Sequence, residues 1–154
     1  MAGAPDDELL RPTLADRSAP VAGAGRPWRL GSQVYVAFFG GVVAVAAVAG
    51  VNARRLGMDR TALAVIAGLG LAGLAGTVVL TMAVDDLPAY GRRAVALAAW
   101  GGMWLLQRSR DRTFAYHARD EEPYASLWLP GLAAVVVGGL LQGLVVYAIT
   151  GDVA

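Results

Sequence analysis

The amino-acid sequence predicts an all-α integral membrane protein, a four-helix transmembrane bundle that follows a disordered N-terminal tail. Of the 154 residues, 56% are hydrophobic, which is high for a soluble domain of this length. The apolar residues form uncharged blocks, and the charged residues are concentrated in the segments between them. This segregation is expected where lipid surrounds the helices.

The first part of the chain differs from the rest. Residues 1–30 mix Pro, Gly and Ala with charges of both signs and contain few large apolar side chains. Such a segment cannot bury enough apolar surface to fold, so we expect a mobile tail over 1–30 and a transmembrane domain over 31–151. Acidic residues stand near the start, at Asp6, Asp7 and Glu8, where a secretory signal would be basic, and we expect the tail to be retained.

Four apolar blocks predict four membrane spans, at 32–52, 61–84, 88–107 and 127–149. A helix rises about 1.5 Å per residue, so a block of about 20 residues crosses a hydrocarbon layer of about 30 Å. Gly57 is well placed to end the first helix. Pro130 is tolerated because it falls in the first turn of the last helix.

The third block is the shortest, because its uncharged part covers only 94–106. A full crossing requires Arg92 and Arg93 to lie one turn inside the helix and to extend toward the lipid headgroups along their aliphatic stems. The competing interpretation is a re-entrant or interfacial helix. We favour the crossing, and we expect the helix to continue beyond Leu105 and to end before Pro123.

Small residues recur every four positions in the second span, at Ala64, Gly68, Ala72 and Gly76. This spacing places them in one stripe along a helix, and small residues let two helices approach closely in lipid. We therefore predict a helix-packing face. Packing within the chain is favoured over dimerisation, although a helix this rich in Ala and Gly also contains such patterns by chance.

The distribution of arginine predicts an orientation. With four spans, the turns at 52–60 and 107–126 lie on one side of the membrane and carry seven arginines. The other side carries at most five, namely Arg17, Arg26, Arg29, Arg92 and Arg93. The positive-inside rule then places these two turns in the cytoplasm and both termini outside. Arg108, Arg112 and Arg119 fall near one helical face and are predicted to contact anionic lipid headgroups, the alternative being an ordinary solvated face.

The sequence contains few candidate catalytic or metal-binding residues. The absence of cysteine excludes thiolate metal sites and cysteine nucleophiles, and a net charge of +1 argues against a nucleic-acid-binding protein. His117 and Glu121 have a spacing suited to a metal, but one His beside three acidic residues is more typical of a solvated segment. We predict no catalytic, cofactor or metal site. Within the spans we expect Thr77 and Thr81 to bond to their own helix and Gln142 to bond a neighbouring helix.

The stretch SQVYVAFFGGVVAVAAVAGVNARRLG resembles the opening of a set of small bacterial multi-span membrane proteins of unknown role. In that set a first helix containing Tyr, Ala, Phe and a Gly pair closes with N-x-[KR]-x-L-G, as Asn52 to Gly57 do here. The segment HARDEEPYASLWLPGLAAVV also resembles the region before their final helix. Typical members carry Pro after the Gly pair, where this chain has Val42. The resemblance implies a multi-span fold and brings no activity with it.

The expected function follows from the expected membrane location and from the lack of candidate catalytic, cofactor or metal-binding residues. We expect a non-enzymatic, multi-pass protein of the bacterial plasma membrane that serves as an accessory, scaffold or assembly subunit. Its expected partners are the lipid bilayer and other membrane subunits or itself. The alternative is a small channel or transporter that acts as a homo-oligomer, since four slender helices hardly enclose a path alone.

Overall fold

The computed structural model describes residues 25–84, 89–117 and 124–151 and is all-α, as predicted. Within these residues four α-helices follow one another, and a 3-10 turn at Leu30–Ser32 precedes the first of them. They are α1 (Gln33–Arg55), α2 (Arg60–Ala83), α3 (Ala89–His117) and α4 (Trp128–Thr150).

Three helical stretches in the described part of the chain are long and apolar enough to cross a membrane, namely Leu30–Arg55, Arg60–Ala83 and Trp128–Thr150. Helix α3 is not among them, because arginines flank its apolar part on both sides. It does continue past the predicted span to His117, as the sequence indicated.

The helix ends follow local chemistry. Gly57 adopts a positive φ of 65° just beyond α1, and the amide of Met58 donates to the carbonyl of Ala53 across that turn (2.9 Å). Asp59 then caps α2, because its Oδ1 accepts a hydrogen bond from the Ala62 amide at 2.9 Å. The predicted stop at Gly57 is therefore confirmed.

The boundary predicted for the tail is wrong. Residues 1–24 lie outside the described residues, but Pro27, Trp28 and Leu30 are buried against the bundle. The amide of Ala125 donates to the carbonyl of Pro27 at 2.9 Å, which ties this segment to the residues that precede α4. Composition alone assigned these residues to the tail, because it does not show the partners that folding supplies.

Helix α1 is broken at Gly41. Its φ of 75° and ψ of −165° lie in a region that is essentially restricted to glycine. The break divides α1 into a short arm, residues 33–40, and a long arm, residues 42–55.

The two arms fold back on each other. The Trp28 amide donates to Asn52 Oδ1 at 2.7 Å. A straight helix from Gln33 to Asn52 would measure about 28 Å, whereas the chain from Trp28 to Gln33 reaches about 18 Å at most. The bond is therefore possible only if α1 reverses its direction. A Cβ at Gly40 would lie 2.6 Å from Ala44 Cβ, although residues four apart on a straight helix have Cβ atoms about 5–6 Å apart.

Contacts with α4 trace the same hairpin. Along the short arm, Val36 lies near Gly131 and Gly40 near Val135, so this arm runs parallel to α4. The long arm returns in the opposite direction, because Val42 lies at Gln142 and the later Ala44 lies at Gly138. The predicted first span at 32–52 thus folds as a hairpin and not as one straight helix. Its turn at Gly41 contacts Gln142, which is about 21 Å along α4 from Trp128.

The long arm forms the centre of the bundle. Val42, Val45 and Ala49 are fully buried and pack with Ile66 of α2 and Met103 of α3 in one hydrophobic cluster. Close approach is possible because glycines line the neighbouring helices: a Cβ at Gly70 would lie 2.8 Å from Ala46 Cβ, and one at Gly138 would lie 2.6 Å from Ala44 Cα.

The hairpin brings both ends of α1 to the same end of the bundle. The start of α2, the end of α3 and the start of α4 lie at this end as well. We call it the arginine side, because most of the described arginines lie there. The prediction placed Arg26 and Arg29 on the opposite side, and the structure corrects this: the carbonyl of Arg26 accepts from Arg55 Nη1 at 2.9 Å, and the Arg29 guanidinium lies 5.6 Å from the Tyr124 ring centre. The described arginines of this side are Arg26, Arg29, Arg54, Arg55, Arg60, Arg108, Arg110 and Arg112.

Candidate functional site: the break in α1 and its cleft

Gln142 of α4 caps the broken helix. The first amides of a helix have no partner within it, and inside a bilayer no water replaces that partner. Gln142 Oε1 accepts hydrogen bonds from the amides of Val42 (2.7 Å) and Val43 (3.3 Å). The predicted role of Gln142 as a bond to a neighbouring helix is confirmed, and its target is the exposed start of the long arm.

The other polar residues within the predicted spans behave as the sequence suggested. Thr77 donates to the carbonyl of Gly73 and Thr81 to the carbonyl of Thr77, each at 2.9 Å. Both hydroxyls are therefore satisfied within α2 and are not directed at a ligand.

A cleft of about 280 Å³ lies beside the break. Its lining combines the turn of the α1 hairpin, the start of α3 and one face of α4; the residues that matter below are Phe38, Gly41, Arg92, Arg93, Gln142 and Gly143. Among the described lining residues, two are arginines and none is a carboxylate. Asp85 and Asp86 lie outside the described residues.

The two arginines are held differently. Arg93 is exposed, and its guanidinium carbon lies 4.7 Å from the ring centre of Phe38, a distance typical of a cation–π contact. Arg92 is half-buried. The pair thus stands at the mouth of the cleft, on the end of the bundle opposite the arginine side.

The floor of the cleft is closed. Directly beyond Gly41, the side chain of Val42 is fully buried, and Gly73 of α2 approaches it so closely that a Cβ there would lie 2.8 Å from Val42 Cγ1. A solute that enters from the side of Arg92 therefore meets packed side chains at the break.

An amide cluster closes the open end of the hairpin on the arginine side. Asn52 accepts from the Trp28 amide and donates from Nδ2 to Gln107 Oε1 at 3.1 Å. Gln33 and Gln107 are fully buried, and within the described residues the Nε2 atom of each has no hydrogen-bond partner. The Arg55 guanidinium lies 4.0 Å from the Trp28 ring centre and covers this end of the cluster.

A second polar contact joins α3 to the segment before α4. The Tyr124 hydroxyl donates to Asp111 Oδ1 at 3.1 Å. Burial, together with the Asp111 charge and this hydrogen bond, raises the pKa of Tyr124 to about 12. Burial also raises the pKa of Asp111, an effect opposed by the hydrogen bond and by Arg29.

Three of the four residues of the predicted packing stripe do not pack within the chain. Ala64, Gly68 and Ala72 are exposed, and a Cβ at Gly68 would meet nothing within 4 Å. Gly76 alone comes near another helix, with Val95 Cγ1 at 3.8 Å from its Cβ position. The inward face of α2 instead carries Ile66, Gly70, Gly73 and Thr77, so the intramolecular role expected for the stripe is wrong. A role in contacts between chains stays a prediction.

The structure does not test the other predicted sites, the headgroup arginines and the polar segment around His117. Arg108 and Arg112 are exposed, as headgroup contact requires, and Arg119 lies outside the described residues. His117 ends α3, and the acidic residues at 120–122 are likewise outside the described part. Over residues 25–84, 89–117 and 124–151, no three His, Cys, Asp or Glu side chains are grouped so as to hold a metal ion.

Sequence reasoning missed the break in α1 and hence the cleft. The available signal was the Gly40–Gly41 pair in the middle of an apolar block.

Comparison with protein-family models, with curated proteins and with solved structures gave no match. The resemblance to the bacterial multi-span set therefore stays a prediction.

Proposed function

We propose that this chain is a multi-pass protein of the plasma membrane and acts, without catalysing a reaction, as an accessory, scaffold or assembly subunit of a membrane complex. The observation that carries the proposal is the α1 hairpin, which fills the interior of the bundle. Its long arm is buried against all three other helices, so the described core is built for packing and not for passage.

The outward surfaces support a lipid environment. Large apolar side chains stand exposed along the outer faces of α2 and α4, including Leu71 (68% exposed), Val79 (62%) and Leu140 (71%). In water such faces would favour aggregation, whereas lipid satisfies them. The same faces, together with the unoccupied stripe of α2, are available to other membrane helices.

The hairpin also changes the proposed topology. If α1 enters and leaves on the arginine side, the crossings are α2, α3 and α4, and residues 25 and 151 lie on opposite sides. Helix α3 has the shortest apolar part, so its crossing requires Arg92 and Arg93 to extend toward the headgroups. Eight described arginines then lie on one side, against Arg92 and Arg93 on the other. This asymmetry is larger than that of the four-span arrangement, and the positive-inside rule places the arginine side in the cytoplasm. There Arg108 and Arg112 are in reach of anionic headgroups.

Cysteine labelling tests this topology, because the chain contains no native cysteine. Arg26→Cys, Ser109→Cys and Tyr90→Cys place single thiols at exposed positions. We expect a membrane-impermeant maleimide to label the first two from the cytoplasmic side and the third from outside. Labelling of Arg26→Cys and Ser109→Cys from opposite sides would restore the straight first span and overturn the hairpin topology.

The subunit role is tested by affinity capture of the tagged full chain in a mild detergent, followed by mass spectrometry. We expect a stoichiometric membrane protein that survives washing. Ala72→Leu, on the outward face of α2, should reduce its recovery, and Ala47→Leu, an exposed position of α1, serves as the control. Recovery of the chain alone or as a homo-oligomer would contradict the accessory role.

One observation favours the second candidate, a small channel or transporter acting as a homo-oligomer. Non-helical backbone at membrane depth occurs where it is buried in protein or lines a water-filled cavity, and the Gly41 break does border a polar cleft. Flux of chloride or potassium through liposomes containing the purified chain, abolished by a bulky Gly143→Leu substitution in the cleft, would favour this role over the first.

A further inference from the structure

We propose that the cleft beside the α1 break binds an oxyanion, either the phosphate of a lipid headgroup or free inorganic phosphate, through the guanidinium groups of Arg92 and Arg93. The proposal goes beyond the accessory role and depends on the membrane location only for the lipid source.

The first argument is the chemistry of the two side chains. Arginine presents a planar fork of donors that matches the oxygens of a phosphate group and remains charged at any physiological pH. Arg92 and Arg93 both line the cleft, and they are the only described arginines on their end of the bundle. Their positive charge is therefore not part of the arginine side that sets the topology.

The second argument is that part of the site is already ordered. The Phe38 ring, 4.7 Å from the Arg93 guanidinium carbon, restricts that side chain before any ligand arrives. Arg92 is half-buried and therefore less hydrated than a surface arginine. Both effects reduce the loss of side-chain entropy and of hydration that accompanies anion binding.

The third argument is that the cleft has room for a phosphate group. Gly41, Gly139 and Gly143 are among the lining residues, and a Cβ at Gly143 would meet nothing within 4 Å. The volume of about 280 Å³ is near the lower end of the range of about 300–1,000 Å³ for small-molecule sites. It suits a small group such as a phosphate and not a large organic ligand.

The dipole of the long arm of α1 also favours an anion in the cleft. The long arm of α1 begins at Val42, and the positive end of its dipole faces the cleft. Gln142 Oε1 already occupies the amides of Val42 and Val43, so the backbone is not the anion ligand. The half-helix contributes a favourable field, and the guanidinium groups make the contacts.

The test uses the purified full chain in an uncharged detergent. Inorganic phosphate is titrated against it by calorimetry at constant ionic strength, with chloride as the balancing anion. In a parallel arm, native mass spectrometry measures retention of phosphatidylglycerol added to the micelles. Binding in the first arm identifies free phosphate as the source, and binding in the second identifies the lipid headgroup.

Arg92→Gln and Arg93→Gln remove one guanidinium each, and Arg110→Gln on the arginine side is the matched control. We expect each of the first two variants to weaken binding at least tenfold and the control to change it by less than twofold. Arg92→Lys retains the charge without the fork and should give an intermediate loss. The melting temperature of every variant without ligand checks folding, and the lysine variant at the same position replaces any glutamine variant that fails this check.

Two results would overturn the proposal. One is the absence of both phosphate and lipid binding to the unmodified chain, as expected if carboxylates already neutralise the two arginines. The other is an equal loss of binding in Arg92→Gln and Arg110→Gln, which would show a general charge effect and no site.

Discussion

The side-chain oxygen of Gln142 lies 2.7 Å from the backbone nitrogen of Val42, a residue 100 positions earlier in the chain. This one bond joins the middle of α4 to the point where α1 reverses direction. It supplies the partner that the broken helix lacks, and it fixes the depth of the hairpin relative to its neighbour.

Replacing Gln142 with leucine should destabilise the bundle. The substitution preserves bulk but leaves the Val42 and Val43 amides without an acceptor, and a buried unsatisfied donor costs about 1–3 kcal/mol. We expect a loss of this size in unfolding by sodium dodecyl sulfate, followed by tryptophan fluorescence. Leu140→Ala, on the exposed face of the same helix, is the control and should change little. Equal stability of the two variants would mean that the cap is dispensable.

Gly41→Ala should be more damaging than an alanine elsewhere in α1. A Cβ at Gly41 would lie 2.5 Å from Gln142 Oε1, and the positive φ of 75° adds strain of about 1–3 kcal/mol. Gly50→Ala is the matched control, because a Cβ at Gly50 would meet nothing within 4 Å and alanine is favoured in a helix by about 1 kcal/mol. In thermal unfolding in detergent, we expect a lower melting temperature for Gly41→Ala and no decrease for Gly50→Ala. A stabilised Gly41→Ala protein would argue for a straight helix.

The contact faces of the helices are distinguished by two further glycines. Gly138→Ala places a methyl group 2.6 Å from Ala44 Cα, which the backbone cannot avoid, and overpacking of this kind costs about 1–3 kcal/mol or more. Gly68→Ala meets open space and should be neutral or slightly stabilising in the purified single chain. If Gly68→Ala instead destabilises the protein by a similar amount, the outward stripe of α2 is covered in solution, and the contact lies between chains.

The Tyr124–Asp111 contact should respond to alkaline pH. Because the folded protein raises the pKa of Tyr124 from 10.0 to about 12, the neutral phenol is favoured in the folded state. This contribution to stability is fully present below pH about 10 and is lost as the pH rises through about 12. Absorbance of tyrosinate during titration of the full chain should contain a last transition near pH 12. Tyr124→Phe should abolish that transition and Tyr90→Phe should leave it in place; any other pattern contradicts the assignment.

The carboxyl group of Asp111 should give stability the same sense of pH dependence as Tyr124, but in the acid range. Burial raises its pKa above 3.8, so its contribution to stability is present below pH about 3.8 and is lost as the pH rises through the folded-state value. Asp111→Asn retains an acceptor for the Tyr124 hydroxyl without the buried charge. We expect this variant to lose that part of the acid dependence of its melting temperature, whereas Asp59→Asn, at the exposed cap of α2, should keep it.

The helical class and most helix ends can be predicted from the sequence, because they depend on residues that are neighbours in the chain. Uncharged blocks between charged turns indicate where α2 and α4 run, Gly57 ends α1, and Thr77 and Thr81 donate to carbonyls one turn away. The path of α1 and the inward face of α2 depend on contacts between helices. A glycine pair inside an apolar block is compatible with a straight helix, and Gly41 becomes a turn only where Gln142 supplies an acceptor and Gly138 lets Ala44 approach. Likewise, α2 carries small residues on two faces, and Gly70 and Gly73 face inward because Ala46 and Val42 of the returning arm pack there. Both outcomes depend on groups brought together by folding, and hydrophobic periodicity along one helix contains no information about them.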